Sequence, residues 1–156
     1  MDDALPSMVE VGRSERHLMT PREVELKLKR IYWMKREVKA KEMQLAELQT
    51  QATHITAVFS PVKASGSNSS KVENYAVRSY EISMDIEESI GALYETLHEG
   101  MKMIESLDDP LLRCILIDYH INGIPLAKLE KKYFYSRSQI YVLRQKAYEQ
   151  IADKTQ

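Results

Sequence analysis

The chain has 156 residues, room for one modest domain or for two small helical units that share a core. Lys and Arg number 22 against 23 Asp and Glu, a net charge of -1 that at first sight argues against a nucleic-acid partner. Five Gly and five Pro beside 44% hydrophobic residues fit a helix-rich protein, and the single cysteine, Cys114, excludes an intrachain disulfide or a multi-cysteine metal site.

Residues 1–19 carry no clear period and read as a flexible N-terminal tail. They lack a charged start followed by an apolar signal core, and no run in the chain reaches the length of a membrane span. The expectation is a cytoplasmic protein with no membrane partner. Thr20-Pro21-Arg22-Glu23 is a helix start: Thr20 caps, Pro21 suits the first turn, and Glu23 completes a capping box. Val24, Leu28, Ile31, Val38, Leu45 and Leu48 then form one stripe, which predicts a long amphipathic helix over about 21–50. Trp33 is expected in the core of that helix.

Residues 51–70 read as a linker. Thr53 to Phe59 is rich in β-branched residues and suits an extended chain, Pro61 disfavours helix at Ser60, and 64–70 is small and polar. Ser70 and Glu73 make a second capping box, opening a helix over about 71–106. Its stripe, Ile82, Ile86, Ile90, Leu93, Leu97, Met101 and Ile104, steps by threes and fours. Residues 20–50 hold eight basic and five acidic side chains, whereas 71–109 hold three and ten. A basic and an acidic amphipathic helix joined by a linker predict a long antiparallel helical hairpin. Burial supplies most of the energy, and exposed ion pairs add little. The charge runs are equally well read as solvated faces.

Residues 107–156 form a third unit. Asp109 caps a helix with Pro110 in its first turn, Leu111, Leu112, Ile115, Leu116 and Tyr119 give it an apolar face, and Asn122-Gly123 ends it. A short helix from Pro125 to about Tyr133 follows. Ser136-Arg137-Ser138-Gln139 is a third capping box, and Ile140, Leu143, Ala147 and Ile151 are the buried stripe of the last helix. Helix, glycine break, short helix, turn and longer helix make a helix-turn-helix pattern. The last helix would be the reader of double-stranded DNA. Arg137, Ser138, Gln139, Tyr141, Arg144 and Gln145 are its expected outward positions, with the Ser136 cap and Lys128 beside them. Arg and Gln hydrogen-bond base edges, while Ser and Tyr hold phosphates. Residues 110–156 carry eight basic side chains against four acidic, so the neutral total conceals a basic C-terminal unit. A plain helical bundle with exposed cations is the competing reading.

Residues 107–151 resemble region 4 of the major bacterial sigma family, through Arg113, Ile115, Leu116, Tyr119, Gly123-Ile124, Leu126, Leu129, Ser136, Ile140, Ala147 and Ile151. Two positions depart from that pattern. Glu130 stands where a small residue is favoured between the two motif helices, and Phe134 stands where Gly is favoured in the turn. Glu130 therefore needs solvent or a partner, Phe134 is expected to carry strain, and Tyr133, Phe134 and Tyr135 are expected to pack under the turn. Over about 20–152, with Tyr32-Trp33, Ile55-Thr56, the Ser-rich linker and Ser70-Lys71-Val72-Glu73, the chain resembles small phage and prophage proteins. These are related to late-gene activators of the ArpU and RinA types. The resemblance implies an all-α regulator of transcription that binds promoter DNA, RNA polymerase or both; the hairpin would either form a homodimer or contact RNA polymerase. The rival readings are a DNA-packaging adaptor like a small terminase subunit, and a polymerase-binding scaffold or anti-sigma-type protein that never touches DNA.

No enzyme is expected. His17, His54, His98 and His120 are scattered, without metal-ligand spacing, and each is expected at the surface or at a helix end. Cys114 is expected as a small core residue. No catalytic carboxylate pair or Gly-rich phosphate loop stands out, so no cofactor and no metal is expected. The Met and Tyr residues read as core filler.

Overall fold

The computed structural model describes residues 18–57 and 67–155. Among them the fold is all-α, with five α-helices and no strand: α1 (Pro21–Ala57), α2 (Ser67–Glu105), α3 (Pro110–Leu116), α4 (Leu126–Tyr133) and α5 (Arg137–Lys154). The start of α1 follows its capping box. The Thr20 backbone N–H donates to the Glu23 carboxylate at 2.7 Å, and the Glu23 N–H donates to the Thr20 hydroxyl at 3.3 Å.

Helices α1 and α2 run antiparallel. Leu28 and Ile31, near the start of α1, meet α2 at Gly100, close to its end. Further along α1, Lys41 reaches back to Ser89 at 2.8 Å and Asp85 at 3.0 Å. A Cβ at Gly100 would lie 2.5 Å from the Ile31 Cδ1, so glycine permits the close approach there. Val24, Leu28, Ile31 and Val38 on α1 and Ile86 and Ile104 on α2 are buried, as the stripes required. Each such side chain contributes about 1.5–3 kcal/mol of burial.

The base of this pair and the C-terminal helices share one core. Val24, Leu28 and Ile31 of α1 and Ile104 of α2 join Leu107, Leu112 and Leu116, with Ala147, Tyr148, Ile151 and Ala152 of α5. Met19, expected in the tail, packs against this cluster. A second cluster, Ile115, Leu129 and Ile140, lies beneath α4 and the start of α5.

Several expected boundaries shift. Helix α1 continues through Thr53 to Ala57, so β-branching there does not produce an extended chain, and residues 58–66 lie outside the described residues. Helix α2 opens at Ser67, which places Ser70 and Glu73 inside it instead of at its cap. Pro125 caps α4 instead of beginning it. Asp109 caps α3 as expected, accepting from the Leu111 N–H at 2.8 Å. After α3 the chain widens into a π-helical turn (Ile117–Ile121) before Gly123 stops it at a φ of +67°.

Candidate nucleic-acid interface

Helices α4 and α5 are joined by a short turn at Phe134, which takes the left-handed conformation with φ 57° and ψ 34°. This is the strained position expected from the Gly-favouring turn of the pattern the sequence resembles. The Phe134 ring is 92% exposed, so it gives no packing in return, while Tyr133 and Tyr135 pack against the lower cluster. The aromatic compensation therefore comes from two rings, not three. Replacing Phe134 by Gly removes the Cβ clash without removing a contact. Chemical denaturation should show Phe134→Gly more stable by about 1 kcal/mol.

Asp118, in the π-helical turn, fixes α4 in place. Its buried carboxylate accepts from Lys132 Nζ and from the Tyr133 hydroxyl, each at 2.6 Å, and from Asn122 at 3.1 Å. Burial pushes this carboxyl up, but those three donors outweigh it and hold it below the usual carboxylate range. Burial, then the Asp118 contact, raises the Tyr133 hydroxyl well above an ordinary phenol. Glu130 finds a partner at the close approach of the two helices, with Arg137 at 3.7 Å.

The Ser136 side chain caps α5 and forms the full reciprocal box. The Gln139 N–H donates to its hydroxyl at 3.3 Å, and the Ser136 N–H donates to the Gln139 side-chain oxygen at 2.8 Å. Both side chains therefore hold the helix end first, and the Gln139 amide NH2 and the Ser136 hydroxyl proton are the donors left for another contact. Arg137, Ser138 and Tyr141 are exposed and Gln145 is half-buried, and Lys128 is exposed on α4. Val142, absent from the expected set, is 62% exposed between Ser138 and Gln145 on the same side of α5. Its spacing of four from Ser138 and three to Gln145 was the available signal. Lys131 adds an exposed cation to α4.

Arg144 is the main correction. It was expected on the exposed face of α5, yet it is buried. Its guanidinium lies 3.8 Å from the centre of the Tyr119 ring, its Nε donates to the Tyr148 hydroxyl at 3.2 Å, and Glu25 of α1 is 3.6 Å away. Position 144 lies four residues after buried Ile140 and four before buried Tyr148, so the side chain must point inward. Arg144 thus ties α5 to α1 and to the π-helical turn and has no route to a groove.

Two other expectations, for Cys114 and Trp33, are corrected, and one is refined. His120 stands in the last turn of the π-helical segment, one of its two expected placements, but there it is buried, with its Nε2 2.7 Å from the Tyr148 hydroxyl. Burial, with Arg144 and Lys29 nearby, pushes its pKa down to about 3, so the ring is neutral at ordinary pH. Burial raises the Tyr148 hydroxyl to about 12 despite the Arg144 charge. Cys114 is exposed, two residues after buried Leu112 and so on the opposite side of α3. Trp33 is exposed for the same reason, two residues after buried Ile31.

An open cavity of about 460 Å³ lies between α1 and the start of α4, with Lys29, Tyr32, Trp33 and Tyr119 among its lining residues and Arg137 at its edge. Among the described residues no cluster of His, Cys, Asp or Glu has the arrangement of a metal site, and no helix is long and apolar enough to cross a membrane. Comparison with family models, with curated proteins and with solved structures finds no match to this chain.

Proposed function

We propose that the chain is a sequence-specific double-stranded-DNA-binding regulator of transcription, of the phage late-activator type that its sequence resembles. Helix α5 enters the major groove. The observation that carries this reading is the outer side of α5, where Ser138, Tyr141 and Val142 are exposed and Gln145 half-buried, with Arg137 exposed at the helix start beside Glu130, while its other side is anchored by Ile140, Arg144 and Tyr148. A reader helix needs this division, because base contacts demand side chains free to reach out on a backbone held rigidly. Arg137 exchanges its Glu130 contact for a guanine edge, Val142 meets a thymine methyl, and Lys128 and Lys131 lie on phosphates. Action is by binding and by recruiting RNA polymerase, without covalent chemistry.

The acidic α2 weakens non-specific attraction, so the isolated chain binds random DNA poorly. Duplexes selected from a randomised pool provide the test. Arg137→Ala should weaken binding to the selected site by about 1–3 kcal/mol and relax the preference at one base pair. Lys131→Ala should weaken binding to all duplexes alike and lower the slope of affinity against salt by about one. Identical affinities for wild type and both variants, measured by fluorescence anisotropy, would remove α4 and α5 from the interface.

A further inference from the structure

We infer that the α1–α2 pair is a self-assembly element, in which the outer edge of α1 in one copy receives the outer edge of α2 in a second copy of this chain. This does not rest on the DNA reading, since its contacts are made by α1 and α2, although Lys29 and Trp33 also line the cavity that reaches α4 and Arg137.

Each long helix carries a second strip besides the seam it shares with its neighbour. On α1, Leu26, Trp33 and Ala40 recur every seven residues, with Met43 extending the row. On α2, Val77, Tyr80, Met84 and Tyr94 follow steps of three, four and ten, again a seven-residue pattern with Gly91 completing it. The large side chains of both strips are between 49% and 68% exposed. Seven-residue spacing is the period by which one helix edge follows another over several turns. A helix that needed only its intramolecular partner would carry polar residues there.

The charges identify the occupant. Arg22, Lys29 and Arg36 stand at seven-residue intervals within the α1 strip, and Glu81, Glu88 and Glu95 stand at seven-residue intervals beside the α2 strip. All six are exposed, and none forms a salt bridge among the described residues. Each set spans fourteen residues, about 21 Å of helix. One molecule therefore presents an apolar strip with cations and another of matching length with anions. Two α2 edges would repel each other, as would two α1 edges, whereas α1 against α2 satisfies both. At Gly91 the α2 strip is open, with nothing within 4 Å of the position a Cβ would take, which leaves room for a large ring of the facing strip such as Trp33. The strips lie on the far sides of the two helices from their shared seam. The contact is thus between unlike surfaces, and it leaves each copy one edge for a further copy or for ring closure.

Sedimentation of the full chain, without DNA, tests this. Wild type should assemble with rising concentration to a dimer or larger species, and emission of Trp33, the sole tryptophan, should shift to the blue as it does so. Lys29→Glu with Arg36→Glu makes both edges acidic, and Glu88→Lys with Glu95→Lys makes both basic. Each double variant should keep its helical circular dichroism and sediment as a monomer, and mixing the two should restore assembly. A wild type that stays monomeric up to its solubility limit would overturn the inference. So would double variants that assemble alone, or a mixture that does not.

Discussion

Arg144→Ala should destabilise the fold by about 2–4 kcal/mol, read as a lower midpoint in urea denaturation. The substitution removes a cation from the Tyr119 ring face, the hydrogen bond from Nε to the Tyr148 hydroxyl, and the packed aliphatic stem between α5 and α1. It also leaves the buried Tyr148 hydroxyl with His120 as its remaining partner. Arg144→Lys should recover little, because an ammonium lacks the planar face that stacks on Tyr119. Read from sequence alone, Arg144 looked like a base reader, and on that view its loss would leave stability untouched. Stability measured without DNA therefore separates the two roles. A midpoint unchanged in Arg144→Ala would return the residue to the surface.

Acid should unfold the protein earlier than its carboxylates require. In the unfolded chain His120 takes a proton near pH 6.5, whereas in the fold burial holds its pKa at about 3. Between those values the unfolded chain binds a proton that the folded chain refuses. Stability is thus complete above about pH 6.5 and declines as the pH falls toward 3, at about 1.4 kcal/mol per pH unit where the difference is full. Asp118 acts in a lower window: its carboxyl is held below the usual aspartate range, so its contribution is lost only as the pH falls below the pKa of an ordinary carboxyl group. Urea midpoints at a series of pH values should fall steadily through the histidine range in wild type. In His120→Gln, which stays neutral, the curve should be flat there at a lower plateau. A variant curve parallel to wild type would remove His120 as the cause.

The helix ends were legible where a local device fixes them. Thr20 with Glu23, Asp109 before Pro110, Gly123 and the Ser136–Gln139 box each satisfy backbone groups within a few residues, and the structure uses all of them. The continuation of α1 through Thr53 to Ala57 and the early start of α2 at Ser67 were not legible. Propagating an existing helix needs only weak local preference, so β-branched residues did not stop α1 and a good capping pair did not start α2.

At the candidate interface, Arg144 was expected to face outward, Val142 was not among the expected contacts, and Trp33 and Cys114 were expected in the core; the structure reverses each of these. Spacing from buried neighbours explains the directions once those neighbours are known. The chemistry that accommodates a buried arginine came from elsewhere in the chain: Tyr119 in the π-helical turn and Glu25 on α1. No local pattern announced that meeting. Nor did any local pattern show that Asp118 would gather Lys132, Tyr133 and Asn122 to set the angle of α4. The strain at Phe134 was visible because the resembled pattern favours Gly in such a turn, and any other residue type is strained in the left-handed conformation whichever residues surround it.

The claim that the outer side of α5 reads duplex DNA is tested most directly with Val142→Glu. This exposed position lies at the centre of the face, and its substitution should leave thermal stability unchanged. Full-length wild type and variant would each be titrated into the duplex that wild type enriches from a randomised pool, over a series of salt concentrations. The account predicts a common enriched sequence, affinity that falls steeply with salt, and loss of specific binding in Val142→Glu. A pool without enrichment, a flat salt response, or equal binding by the variant would contradict it.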